Sequence, residues 1–204
     1  DLEELMLERG LRVDHTTIFR WVQRYAPELD KRCRPHLKAT NDSFRVDETY
    51  IKIKKQGHYL YRAVDSAGNT LDFMLSTTRD AKAAERFFRK ALRAQHTATP
   101  RVITVDKTAA YPPAFEALQQ AGQRPEGCRL RQQKYLNNIV EQDHRFVKRR
   151  VNPGLGFGSF DTAQRTLQGY EAMHMIRKGQ LQGSPKTDVL AQNRAIAQMF
   201  GLVA

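Results

Sequence analysis

The spacing of apolar positions changes period along the chain, and each change marks an element. Leu2, Leu5, Met6 and Leu7 share one side of a short helix that stops at Gly10. DHTTIFRWVQRYAP, at 14–27, sets Ile18, Phe19, Val22 and Tyr25 at helical spacing, with Asp14 able to cap and Pro27 ending the run. Two such helices joined by GLRV have the size of a helix-turn-helix, whose second helix would offer His15, Thr16, Arg20 and Arg24 to a groove or its phosphates. The same residues also suit two helices packed on a neighbouring domain, because Phe19 and Trp21 serve a core equally well. Residues 27–43, PELDKRCRPHLKATNDS, read as a linker or surface connection.

From residue 44 the period becomes two. FRVDETYIKI at 44–53, HYLYRAVD at 58–65 and TLDFMLS at 70–76 predict three strands, with turns at 54–57 and 67–69, and so an antiparallel meander. Helical spacing follows at 80–92, with Ala84, Phe87, Phe88 and Leu92 inward, and RVITVD at 101–106 reads as a short buried strand. Beyond it the pattern predicts a helix at 111–121, a strand at 128–130 and a helix at 136–150, in which Ile139, Val140, Phe146 and Val147 are available for packing. The glycines of NPGLGFGS end that helix, a last helix covers 160–178, and QLQGSPKTD resembles a linker. Strands followed by alternating helix and strand predict an α/β fold, a mixed sheet flanked by helices.

Composition narrows the function. The 204 residues carry a formal net charge of +12, which favours polyanionic partners, while 40% hydrophobic and 27% charged residues exclude wholesale disorder. The only cysteines, Cys33 and Cys128, support neither a disulfide framework nor a zinc site, and a reducing cytoplasmic setting fits them. There is no apolar run long enough to predict a membrane span, so no membrane role is expected. The opening DLEELMLERG lacks an initiator methionine, which suggests a start inside a longer protein.

Three acids stand out. Asp47 interrupts an apolar strand and Asp106 ends another, and a carboxylate buried in a strand is costly unless it is paired, hydrogen-bonded or bound to a metal. Glu141 lies on the helix face shared with Asn137, Asn138, Arg145 and Lys148. Spacing alone does not bring the three together, and a strand Asp paired with an arginine is the competing reading. A phosphodiester substrate explains the set: carboxylates hold hard Mg²⁺ ions, which activate an attacking water or 3′-hydroxyl and stabilise the departing oxygen. The interval from Gln123 to Val151 supplies Arg124, Arg129, Arg131, Lys134, Arg145, Lys148, Arg149 and Arg150 to hold a phosphate backbone.

Neighbouring residues have weaker claims. Strand alternation turns Glu48 away from Asp47, toward a surface salt bridge, and Asp143 diverges from Glu141 on their helix. Asp65 is best read as a turn cap before SAGN. Lys107 either contacts phosphate or faces solvent, Asn137 and Asn138 either orient a ligand or cap the helix, and His144 is a DNA contact or general-base candidate. NPGLGFGS lacks the GKS and the strand-to-helix context of a nucleotide-binding loop, so no ATP requirement is expected.

The ordered motifs VDHTTIFRWVQRYAPEL, VDETYIKI, YLYRAVDSAGNTLDF, ITVDKTAAY, RQQKYLNNIVEQDHRFVKRR and PGLGFGSFDTA together resemble the transposases of IS6-type insertion sequences, a branch of the DDE transposases. The resemblance implies an RNase H-like fold, preceded by a helix-turn-helix-like segment. It divides the chain into that segment at 1–30, a linker at 31–43, a catalytic domain at 44–179 and a tail at 180–204. It assigns catalysis and metal binding to Asp47, Asp106 and Glu141. The 34 residues between the last two match the family's DD34E pattern. Lys148 falls where such enzymes place a basic residue on the element end, and Arg149, Arg145, Lys107, Arg20 and Arg24 are further expected DNA contacts. Mg²⁺, with Mn²⁺ able to substitute, is the implied cofactor. Terminal inverted repeats and target DNA are the implied partners of a homo-oligomer acting in the cytoplasm at the nucleoid. Family members carry more sequence before this start, so the DNA-binding module is expected to be incomplete. The expected activity is metal-dependent cleavage and strand transfer. The alternatives are a related nuclease or integrase that cuts without joining, and a catalytically silent DNA-binding regulator derived from a transposase.

Overall fold

The computed structural model describes residues 2–133 and 138–202. Among them the helices are α1 (Leu2–Glu8), α2 (His15–Cys33), α3 (Ala81–Leu92), α4 (Tyr111–Gln120), α5 (Asn138–Val151), α6 (Phe160–Arg177) and α7 (Val189–Met199). The strands are β1 (Ser43–Ile53), β2 (Gln56–Asp65), β3 (Thr70–Ser76), β4 (Val102–Val105) and β5 (Arg129–Gln132). The expected start of α5 at Leu136, with Lys134 and Asn137, lies outside the described residues.

The strands form one sheet in the order β3-β2-β1-β4-β5. β1, β2 and β3 pair antiparallel as the alternation predicts, whereas β4 joins β1 and β5 joins β4 in parallel. The β1–β2 connection is tighter than expected. Ile53 already pairs with Gln56, leaving Lys54 and Lys55 as a two-residue loop, and both take positive φ (50° and 65°), as a hairpin that follows the strand twist requires.

Alternation along β1 sorts its side chains between two cores. Phe44 and Val46 pack with Tyr61, Phe87, Phe88, Ile103 and Phe115 beneath α3 and α4. Ile51 and Ile53, on the other face, pack with Leu60, Phe73, Val147, Val151 and Leu167 beneath α5 and α6. Side-chain caps start the helices: Asp80 accepts from Ala83 N (2.7 Å) at α3, and Ser159 accepts from Thr162 N (3.2 Å) at α6.

Two elements differ from the sequence reading. α2 does not stop before Pro27 but runs through it to Cys33. Proline removes one helical hydrogen bond, and packing offsets that loss: Cys33 and Leu37 share a third core with Ala172, Met175, Ile176 and Leu181. The helix therefore occupies the start of the expected linker and lies along α6, with Gln23 Nε2 donating to Thr166 Oγ1 at 2.8 Å. The second difference is in the expected tail, where α7 forms behind an Asp188 cap and Ala195, Ile196 and Met199 reach the same third core.

The α2–α6 approach depends on Gly169, where an added Cβ would stand 2.7 Å from Ala26 Cβ. Gly169→Val is expected to lower stability by roughly 1–3 kcal/mol through overpacking. In urea unfolding, adding Ala26→Gly should recover part of that loss; no recovery would show that the close contact is not its source.

Candidate active site

β1 and β4 run in parallel with Arg45 opposite Thr104, and continuing that register sets Asp106 beside Asp47. Oxygens of Asp47, Glu48 and Asp106 all lie within 4.8 Å of one another. Asp106 follows the last residue of β4 and is held by its own turn. Thr108 N donates to Oδ1 at 2.9 Å and Thr108 Oγ1 donates to Oδ2 at 2.8 Å. Arg79 Nη2 donates to Thr108 Oγ1 at 2.9 Å and is also ion-paired with Glu48.

Glu48 corrects the expectation of a surface salt bridge. It does form a salt bridge, with Arg79, yet its side chain is only 3% exposed. The face opposite Asp47 is covered by α4, whose Tyr111 hydroxyl donates to Glu48 Oε2. Burial raises the Glu48 carboxyl above its usual range, against the opposing pull of Tyr111 and Arg79, and burial also lifts the Tyr111 hydroxyl well above its own. Arg79 and Tyr111 thus engage the two oxygens of Glu48, as Thr108 engages the two of Asp106.

α5 crosses this edge of the sheet. His144, buried on it, places Nε2 3.4 Å from Asp47 Oδ2, and burial lowers its pKa, favouring the neutral ring. Glu141 is exposed on the first turn of α5 and is not part of the oxygen cluster. It precedes His144 by three residues, so the two are about 60° apart around the helix and about 4.5 Å apart along it. Arg145, Lys148 and Arg149 are also exposed on α5, Lys107 is exposed beside Asp106, and Arg20 and Arg24 are exposed on α2. Lys148 lines a cleft of about 410 Å³ with Tyr50, Lys52, Asn152 and Leu155.

The position of α5 is set from below by charges that pattern reading missed. Arg62 on β2 faces Asp47 across the strand pair and is completely buried. Its Nη2 donates to Asp143 Oδ2 (3.1 Å) on α5 and to Glu171 Oε2 (2.7 Å) on α6. Asp143 also accepts from Lys178 Nζ at 2.7 Å, and His174 Nε2 lies 3.1 Å from its other oxygen. Burial alone would raise the Asp143 carboxyl, but His174, Arg62 and Lys178 together hold it well below its usual range. His174 stacks on Phe146 at 3.7 Å between centroids, and Arg150 covers the same ring at 3.6 Å. The available signal was Arg62 itself, an arginine at an inward position of the apolar run YLYRAVD. Asp65 serves as the turn cap it was expected to be, accepting from Ala67 N and Asn69 N at 2.9 Å each.

A mixed sheet that sets Asp47 on β1 beside Asp106 at the end of the parallel β4, in a chain with the relatives that follow, marks a DDE-type polynucleotidyl transferase on an RNase H-like fold. A family profile described as a DDE domain matches residues 41–180. The chain is 37% identical over 178 residues to the transposase of the insertion sequence-like element IS431mec of Staphylococcus aureus, covering 87% of this chain and 77% of that one. It is 36% identical, over the same shares, to the transposase of IS257 in transposon Tn4003, also of Staphylococcus aureus. The chain belongs to the IS6-type family of insertion sequence transposases. Its fold is shared with a chain from the cryo-EM structure of the simian T-cell lymphotropic virus intasome in complex with the PP2A regulatory subunit B56 gamma. That match has a TM-score of 0.52 and 16% identity, over 74% of this chain and 57% of that one.

The class implies use of a divalent metal, and the donors fit one: the clustered groups offer carboxylate oxygens only, the ligands that hard cations prefer. Because Asp143 neutralises Arg62 and ties α5 down, Asp143→Ala is expected to cost about 3–5 kcal/mol by leaving a buried charge uncompensated. Chemical denaturation should show that loss; a cost below about 1 kcal/mol would mean that the network does not hold α5.

Proposed function

We infer that this transposase binds the ends of its element, exposes a 3′-hydroxyl and directs it at a phosphodiester of target DNA, with Mg²⁺ as the metal and Mn²⁺ able to replace it. The reading is carried by the convergence of Asp47 and Asp106 at one sheet edge, within a chain that is 37% identical to a named transposase. Asp47 and Asp106 hold the metal. Glu141 completes the set, supported by its place one helical turn from His144, which itself touches Asp47. Bound there, divalent ions would supply charge stabilisation to the attacking and leaving oxygens.

The chain's own residues prepare the site for that chemistry. Thr108 holds both oxygens of Asp106, and Arg79 links Thr108 to Glu48, so the carboxylates keep their orientation before substrate arrives. His144, neutral and buried, closes one side of Asp47 to bulk water. Lys148 and its exposed neighbours Arg145 and Arg149 hold the DNA backbone, a role that positions the duplex without reading its sequence. Lys107, Arg20 and Arg24 extend the basic surface. Paired ends call for a homo-oligomer, and the substrate places the enzyme at the bacterial nucleoid. Among the described residues, no helix is long and apolar enough to cross a membrane.

Strand joining with labelled end DNA tests this function. Joining should require Mg²⁺ or Mn²⁺ and should disappear in Asp47→Asn, Asp106→Asn and Glu141→Gln, each with DNA affinity unchanged. Undiminished joining in any of the three would remove that residue from the catalytic set. DNA cutting without joining by the unaltered protein would instead indicate a nuclease, and binding with neither activity a silent regulator. Lys148→Ala should weaken end binding several-fold without altering the metal concentration needed for half-maximal joining; unchanged binding would remove Lys148 from the DNA contacts.

A further inference from the structure

Opposite charges that face each other across an antiparallel strand pair attract, and Asp47 of β1 stands directly opposite Arg62 of β2. Among the described residues the two nevertheless form no ion pair. Arg62 Nη2 turns to Asp143 Oδ2 at 3.1 Å and to Glu171 Oε2 at 2.7 Å, while Asp47 Oδ2 faces His144 Nε2 at 3.4 Å. Asp143 and His144 are consecutive on α5. Two adjacent side chains of one helix thus part the cross-strand charges and take one each.

The division matters for a metal ligand. A carboxylate gripped by a guanidinium fork has both oxygens engaged and its charge already met. A single ring N–H fixes the direction of the group through one oxygen and leaves the other for a cation. Asp106 has its own support of this kind in Thr108, whose N and Oγ1 reach its oxygens at 2.9 and 2.8 Å. Among the described residues, His144 is the side chain that does the same for Asp47.

Packing alone does not account for this histidine. Its side chain is only 5% exposed, yet neither ring nitrogen completes a hydrogen bond among the described residues. A buried polar group left in that condition costs about 1–3 kcal/mol. The acceptor within reach is Asp47 Oδ2, and closing the separation by about 0.5 Å would make an ordinary N–H···O bond. Burial at this depth also argues against the DNA contact that its place beside Arg145 suggested.

Resting on the metal-binding role inferred above for Asp47, we propose that His144 is the positioning residue of that carboxylate. Its Nε2–H donates to Asp47 Oδ2 and holds the group ready for the divalent cation, while Asp143 keeps Arg62 away from it. His144 acts through Asp47 and touches neither DNA nor cation. Partners of this kind change metal affinity by about 10–100-fold.

The test reads Mn²⁺ binding by the whole chain in the absence of DNA, from the EPR signal of the free ion. A Gln side chain can set its amide nitrogen where Nε2 stands, whereas Asn reaches only the place of Nδ1. His144→Asn should raise the Mn²⁺ dissociation constant about tenfold or more, and His144→Gln should stay within about threefold of the unaltered protein. Unchanged affinity in His144→Asn would overturn the proposal. So would an equal loss in both variants, because a role in packing does not depend on which nitrogen position is kept. Should the variants fail to fold, the unaltered protein still decides. In its imidazole nitrogen NMR spectrum, the ring that responds to Mg²⁺ should carry a proton on Nε2; a proton on Nδ1 alone, or no responding ring, overturns the assignment. Asp47→Asn separates this role from the reading beneath it. Binding lost there but intact in His144→Asn would leave Asp47 a ligand without this partner, and binding intact in Asp47→Asn would remove the ligand and the positioning role together.

Discussion

A guanidinium removed entirely from water must have carboxylates around it, and Arg62 imposes that requirement at the centre of this molecule. It stands opposite Asp47 on the neighbouring strand, and its counter-charges come from two different helices, Asp143 on α5 and Glu171 on α6. Neutralising one buried cation therefore ties both helices to the sheet through Arg62 Nη2. Lys178 and His174 then fasten Asp143 a second and third time. Burial pushes the Glu171 carboxyl up, while its neighbours hold that of Asp143 low.

The active site inherits its geometry from this arrangement. Two aspartates are delivered by parallel strands whose register is fixed by backbone hydrogen bonds, and Asp106 is further oriented by its own turn. Glu141 is positioned by packing rather than pairing, on a helix whose buried side is fixed and whose exposed side is basic. Carboxylates held on paired strands suit chemistry in which positioning and electrostatics supply most of the rate. Glu48 illustrates the same economy: its charge serves Arg79 and Tyr111, and through Arg79 it supports the Thr108 turn beneath Asp106.

The amino-terminal helix α2 is joined to this core more closely than a linked module would be. α2 shares a core with α6 and α7, and Arg32 reaches across to the Met199 carbonyl at 2.6 Å. α6 thus touches α2 on one side and receives Arg62 and Asp143 on the other, through Glu171 and His174. A disturbance of α2 has a continuous packed route to the helix that carries Glu141. Phe19 is exposed on α2 beside Arg20, while the partly exposed Trp21 and Tyr25 line a groove with Gly169 and Tyr170 of α6 and with Phe200.

Sequence by itself determined most of the elements and singled out Asp47 and Asp106, whose oxygens the structure brings together. Strand alternation is a local property, so the meander, the parallel strand ending at Asp106 and the anomalous Asp47 were all readable, and the family motifs ordered them. Local pattern also placed Asp65 in its turn and turned Asp143 away from Glu141. What it could not determine was which charges meet. Glu48 looked superficial because alternation says which face a residue occupies but not what covers that face, and α4 covers it with Tyr111. Arg62, Asp143 and Glu171 are distant in sequence and meet only when β2, α5 and α6 pack together. Pro27 and the linker-like composition after Gly179 are local stop signals, and both were overridden by burial in a core assembled from the two ends of the chain. Periodicity is written residue by residue, whereas compensation of buried charge depends on long-range packing, and only the tertiary structure decided it.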